Sequence, residues 1–227
     1  MTTVPENPTA SVEAAAHRPQ TIGEEIANAV THGIGFGLAI SGLAILCVYS
    51  TTSAATVGAA IFGSMNVFMY LMSTLYHSLP DSTAKRVFQR LDHIGVFLVI
   101  AGTYTPLTLT YLRNESPAIG WTLFGIVWAF AVVGIVFKAI FGPKRTDISL
   151  IIYTVMGWLI VIALGPVLRT DTGRGLLTWL AIGGACYTVG ILFFIRSEKH
   201  RFFHFIWHLF VLAGGVCHFF LILFYFM

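Results

Sequence analysis

From Gly33 to Pro80 the chain carries no Lys, Arg, Asp or Glu. A helix of about 20 apolar residues crosses the hydrocarbon core of a bilayer. This stretch is therefore too long for one crossing and long enough for two. The small polar break Ser50-Thr51-Thr52-Ser53 divides it, which predicts helices over about residues 30–50 and 55–77. Later apolar runs predict helices built on Ile94–Leu112, Ser116–Phe137, Ile148–Leu168, Gly175–Ile195 and Phe203–Met227. The pattern as a whole predicts an all-α membrane protein. It assigns residues 21–227 to a bundle of seven transmembrane helices, behind a polar leader over residues 1–20 that is expected to be disordered.

Composition strengthens this reading. Only 10% of residues are charged and 56% are hydrophobic, against about 25% charged in soluble domains. So few charges cannot cover a water-facing surface, and lipid must be the solvent for most of the chain. The leader contains Pro5, Pro8 and Pro19 but no apolar run, so no signal peptide is expected at the extreme N-terminus. Cys47, Cys186 and Cys217 all lie within apolar runs, and no C-x-x-C pair occurs. They read as small buried apolar residues, not as a disulfide or a thiolate metal site.

The net charge of +3 gives no reason to expect a nucleic-acid partner. The placement of the basic residues is more telling. The leader and the loops after helices 2, 4 and 6 hold Arg18, Lys85, Arg86, Arg90, Lys138, Lys144, Arg145, Arg196, Lys199 and Arg201, which is 10 of the 13. The opposite side holds Arg113, Arg169 and Arg174. The positive-inside rule then predicts a cytoplasmic N-terminus and an external C-terminus.

Ionisable groups within spans are costly and usually face the bundle interior. Ser73 and His77 lie four apart at the end of helix 2, and His204 and His208 four apart at the start of helix 7. Residues so spaced share a helix face. Asp92 is expected in the first turn of helix 3. Glu24, Asn28 and His32, again four apart, lead into helix 1. Under the seven-helix topology all four clusters arrive at one depth, toward the cytoplasmic leaflet.

Three imidazoles with an open position form the ligand set of a catalytic zinc site, and His77, His204 and His208 supply them. Asp92 is placed to accept a hydrogen bond from a water on the metal, whose pKa falls to about 7. Ser73 would hold a ligand or bond a substrate. Glu24, Asn28 and His32 read either as a second shell orienting the ligands or as an amphipathic interfacial turn. His93 points roughly 100° away from Asp92 and reads as structural. His218 lies about 21 Å beyond His204 along the helix axis and is expected to be hydrogen-bonded to another helix. Gly102-Thr103-Tyr104-Thr105-Pro106 reads as a kink whose freed backbone groups the threonines satisfy.

Taken together, Ser73 with His77, then Asp92, then His204 with His208 resemble the signature of the PAQR / hemolysin III family. The segments from Glu24 to Gly33 and from Asp92 to Pro106 are similar to its bacterial hemolysin III-like (TrhA-type) branch. The resemblance implies seven helices, zinc on His77, His204 and His208 near the inner leaflet, and Asp92 on the zinc water. It also implies kinship with alkaline ceramidases, a link to membrane-lipid homeostasis and a bacterial plasma-membrane location. The leading expectation is thus a zinc-dependent intramembrane hydrolase of a lipid amide or ester, with membrane lipids as partners. A lipid sensor with structural zinc and a cytolytic hemolysin are the alternatives.

Overall fold

The structure, a computed structural model, describes residues 18–142 and 145–227. Lys144 and most of the leader lie outside the described residues. Seven helices are long and apolar enough to cross a membrane: α1 (Ile22–Tyr49), α2 (Ser53–Ser78), α3 (Thr83–Glu115), α4 (Pro117–Phe141), α5 (Thr146–Leu168), α6 (Asp171–Arg196) and α7 (Phe203–Tyr225). The described residues contain no strand. The links are short, so consecutive helices run antiparallel. The end of the bundle where α1 begins is called the first end below. The ends of α2, α4 and α6 and the starts of α3, α5 and α7 also lie there.

The helix starts follow the local chemistry. Thr21 caps α1 in a reciprocal box with Glu24. Thr52, Ser82 and Thr170 cap α2, α3 and α6 by accepting from the backbone N–H of Ala55, Lys85 and Gly173.

Two helices begin well before their apolar runs. α1 starts at Ile22 and α3 at Thr83, so Asp92 lies in the third turn of its helix, not the first. The early turns are amphipathic. Along α1, Ile22, Ile26, Val30, Ile34 and Leu38 form an outward apolar stripe. Glu24, Asn28, Thr31, His32 and Gly35 are buried on the inner side. Hydropathy counts apolar residues and so dates the start of such a helix too late.

Two spans are irregular. Pro106 sits inside α3 and is followed by a π-helical turn, Thr108–Leu112. The expected kink segment, residues 102–106, is itself α-helical, and the widened turn follows it. Thr103, Thr105, Thr108 and Thr110 each bond a carbonyl one turn back, those of Val99, Ala101, Tyr104 and Pro106. None of the four bonds Gly102, whose carbonyl Pro106 frees. α5 tightens into a 3-10 turn at Leu159–Ala163, and the Tyr104 hydroxyl bonds the backbone there, at Gly157 O and Ile160 N.

α3 is the most enclosed span. It packs along α2 and α4, while α7 lies between α1 and α6. α5 and α6 meet mainly near the turn that joins them and part toward the first end. A cavity of about 500 Å³ fills the space between α3, α5, α6 and α7.

Gly95 lets α2 and α3 approach closely. A Cβ at Gly95 would lie 3.0 Å from Met69 Cα. Met69 is one turn from Ser73, and Gly95 follows Asp92 by three residues, so this contact sets the spacing of the polar groups on the two helices. Gly95→Ala is expected to cost about 1–3 kcal/mol by overpacking, read as a lower Tm in detergent. Gly37→Ala, where a Cβ meets open space, is expected to leave Tm within a degree or so. Equal Tm values for the two variants would show that the contact yields freely.

Candidate metal centre

His77 ends α2, and His204 and His208 open α7. The three rings converge: centroids lie 5.1 Å apart for His77 and His204, 5.0 Å for His77 and His208, and 4.7 Å for His204 and His208. One ring nitrogen from each lies within 4.8 Å of the other two. Three nitrogens on one tetrahedral zinc ion stand about 3.3 Å apart, given Zn–N near 2.0–2.1 Å. Small side-chain rotations would close the triangle to that size.

Two of the three rings are already engaged through Nδ1. His77 Nδ1 lies 2.5 Å from a Glu25 carboxylate oxygen. His208 Nδ1 donates to the Asn28 carbonyl at 3.3 Å. These are the carboxylate and carbonyl partners that fix the tautomer and aim of metal-binding histidines. His77 Nε2 is buried with no hydrogen-bond partner. An orphaned buried nitrogen is costly, and a bound cation would relieve that cost. The residues therefore fit a metal ion.

Asp92 and Ser73 adjoin the triangle. The Asp92 carboxylate lies beside the Ser73 hydroxyl and within electrostatic reach of His77. The Ser73 hydroxyl is fully buried, and its Oγ is without hydrogen-bond geometry to any described partner. Asp92, His204 and His208 all border the cavity, whose walls are otherwise mainly apolar.

The chain matches the profile of the haemolysin-III-related family over residues 20–219. This chain belongs to that family. It is 44% identical to "Hemolysin-3" of Bacillus cereus over 209 residues, covering 91% of this chain and 93% of the relative. It is 42% identical to "Hemolysin-3 homolog" of Bacillus subtilis (strain 168) over 208 residues, 90% of this chain and 95% of the relative. It is also 28% identical to the human "Monocyte to macrophage differentiation factor" over 208 residues, 89% of this chain and 84% of that protein.

In this haemolysin-III-related chain, the structure gathers His77, His204, His208, Asp92 and Ser73 as expected. It sorts the α1 residues differently. Asn28 reaches His208 through its backbone carbonyl and His77 Nδ1 through its side-chain amide at 3.5 Å, and His32 stacks on His208 with centroids 3.6 Å apart and planes 4° from parallel. Glu24 makes no hydrogen bond to them, although it lies within electrostatic reach of His204. Its carboxylate takes Arg18 at 2.6 and 2.8 Å, the Thr21 N–H and hydroxyl, and the Phe202 N–H at 2.8 Å. Phe202 has the left-handed φ of 60° and opens α7 two residues before His204. Glu24 thus ties the start of α1 to a strained turn at the start of α7.

The carboxylate on His77 belongs instead to Glu25, whose other oxygen takes Lys85 Nζ at 2.8 Å. Lys85 also donates to the carbonyls of Tyr76 and Leu79, capping α2. Sequence reasoning passed over Glu25, although Glu25, Asn28 and His32 follow the i, i+3, i+7 spacing of one helix face.

His93 borders the cavity, and its Nδ1 is buried without a hydrogen-bond partner among the described residues. His218 packs on Gly183 and lies 5.6 Å from the Tyr187 ring. The Leu180 backbone of α6 stands beside the His218 ring as its hydrogen-bonding neighbour, the partner on another helix that was expected, although neither ring nitrogen meets strict hydrogen-bond geometry. The cysteines are free.

Proposed function

We propose that this chain is a zinc-dependent hydrolase of a lipid amide or ester. The supporting observation is the triangle of His77, His204 and His208, with an orphaned buried nitrogen, opening onto a long apolar cavity. A divalent metal in that triangle supplies Lewis acidity and water of pKa about 7.

The chain's own residues then divide the work. Asp92 accepts the proton of the attacking water and passes it to the departing amine or alkoxide. Ser73, beside the Asp92 carboxylate, turns its hydroxyl to donate to the substrate carbonyl oxygen and so favours the charge that develops there. Glu25 and the Asn28 carbonyl hold the His77 and His208 rings in register. Apolar residues of α3, α5, α6 and α7 receive the acyl chain, which enters from the bilayer where α5 and α6 part.

Membrane lipids are the partners in this reading. The chain sits in a bacterial plasma membrane with its N-terminus in the cytoplasm, as the basic residues favour. Reporters fused to the two termini should report opposite faces, with the N-terminal one inside. The test of the whole reading is metal analysis of the purified protein together with a screen of lipid amides and esters. Metal without turnover on any of them would leave the ion a structural role, in a lipid sensor. Absence of metal after zinc repletion would remove the centre altogether.

Glu25→Gln keeps the shape of the side chain and removes its charge. Loss of such an outer partner typically costs 10–100-fold in metal affinity. A zinc competition titration against a chromophoric chelator is expected to show a weakening in that range. An unchanged affinity would mean that the Glu25–His77 contact does not tune the site.

A further inference from the structure

Lys138 is the one Lys or Arg among the described residues that borders the cavity. It lies near the end of α4, at the first end of the bundle. Its side chain is completely buried, at 0% exposure, and its ammonium has no hydrogen-bond partner among the described residues. Two groups lie within its electrostatic reach, His93 and Asp147. Asp147 is exposed to solvent and faces Arg145 at 3.6 Å. His93 brings no negative charge and presents an orphaned nitrogen of its own.

An unpaired buried ammonium weakens a fold, and an apolar residue of similar size would serve packing better. Intramembrane charges of this kind mark ligand paths. Lys138 and His93 therefore offer a cation and a ring nitrogen to something that enters the cavity. His93 also lies within electrostatic reach of His77 and His204. It is thus within reach of both Lys138 and the imidazole triangle. The cavity runs on from both toward the far end, past Ile100, Leu107, Val161 and Leu164.

We propose that Lys138 and His93 form an anion-binding subsite, and that the preferred ligand is an acyl amide or ester with an anion close to its carbonyl. The acyl chain lies along the cavity, the carbonyl faces the triangle and the anion meets Lys138. N-acyl amino acids supply this chemistry as a carboxylate, and lysophosphatidates supply it as a phosphate. The place given to the carbonyl rests on the hydrolase reading; capture of the anion does not.

The test is equilibrium binding to the full-length protein in detergent after chelator treatment, so that metal plays no part. The probes are N-oleoylglycine, oleoyl lysophosphatidate and the uncharged N-oleoylethanolamine. Wild type is expected to bind at least one of the two anions about tenfold or more tightly than the ethanolamide, and the anion preferred identifies carboxylate or phosphate as the source. Lys138→Met should abolish that preference while leaving ethanolamide binding within about twofold, and Lys138→Arg should retain it. Lys138→Met is expected to keep or raise Tm, because it removes an unpaired charge. The subsite is refuted if wild type shows no preference for an anion or binds none of the probes. It is equally refuted if the preference survives Lys138→Met, or if that variant weakens all three probes alike. An anion preference without cleavage by the zinc-loaded protein would sink the hydrolase reading and leave the subsite standing.

Discussion

Purified from zinc-supplemented cells, the full-length chain is expected to carry about one zinc ion per protomer, and His208→Ala less than about a tenth of that. The argument is geometric. Structural and catalytic zinc sites hold at least three protein ligands, and the triangle offers three ring nitrogens within 4.8 Å of one another. Removing one leaves two imidazoles at the edge of an apolar bundle. His208 is the most informative position, because its Nδ1 is already fixed by the Asn28 carbonyl and its ring by stacking on His32. The alanine variant should still insert and still show helical circular dichroism, since its six other spans and most of α7 are untouched. Metal analysis by mass spectrometry reads the outcome. Full zinc occupancy in His208→Ala would place the ion elsewhere and dissolve the centre described above.

The second large effect concerns Asp92. Asp92→Asn is expected to lower turnover of a cleaved lipid by roughly 10²–10⁴-fold, the usual contribution of a general acid–base group. Zinc content should stay near that of wild type, because Asp92 is not one of the three converging ligands. The amide keeps the size of the carboxylate and its place beside Ser73, so packing is preserved while the proton acceptor is lost. Turnover within about threefold of wild type would remove Asp92 from the chemistry. Loss of zinc together with turnover would make it a ligand.

The seven spans were legible because lipid imposes a length and a polarity on every crossing. The meeting of His77 with His204 and His208 was legible for the same reason: topology fixes depth, and four-residue spacing fixes the face. What could not be read was the division of labour between neighbours. Glu24 and Glu25 differ by one position, which turns a side chain by about 100°. One clasps Arg18 and Phe202; the other meets His77. The choice depends on where α2 and α7 stand around α1, a tertiary fact. His93 and Lys138 were obscured likewise. Their significance lies in the cavity that the parting of α5 and α6 leaves, and periodicity along single helices does not record the gap between two.

The clasp between Glu24 and the Phe202 N–H joins the first crossing to the last. The imidazole triangle has the same reach, since His77 comes from the second crossing and its two partners from the seventh. During biosynthesis six helices are threaded into the membrane before either His204 or His208 emerges. A nascent chain therefore passes most of its assembly without the full set of candidate ligands, and one terminated before the seventh helix lacks His204 and His208. Contacts so distant along the chain form late and depend on the rest of the topology being right. Were the triangle to take an ion as proposed, its acquisition would report that the final helix has found its place between α1 and α6.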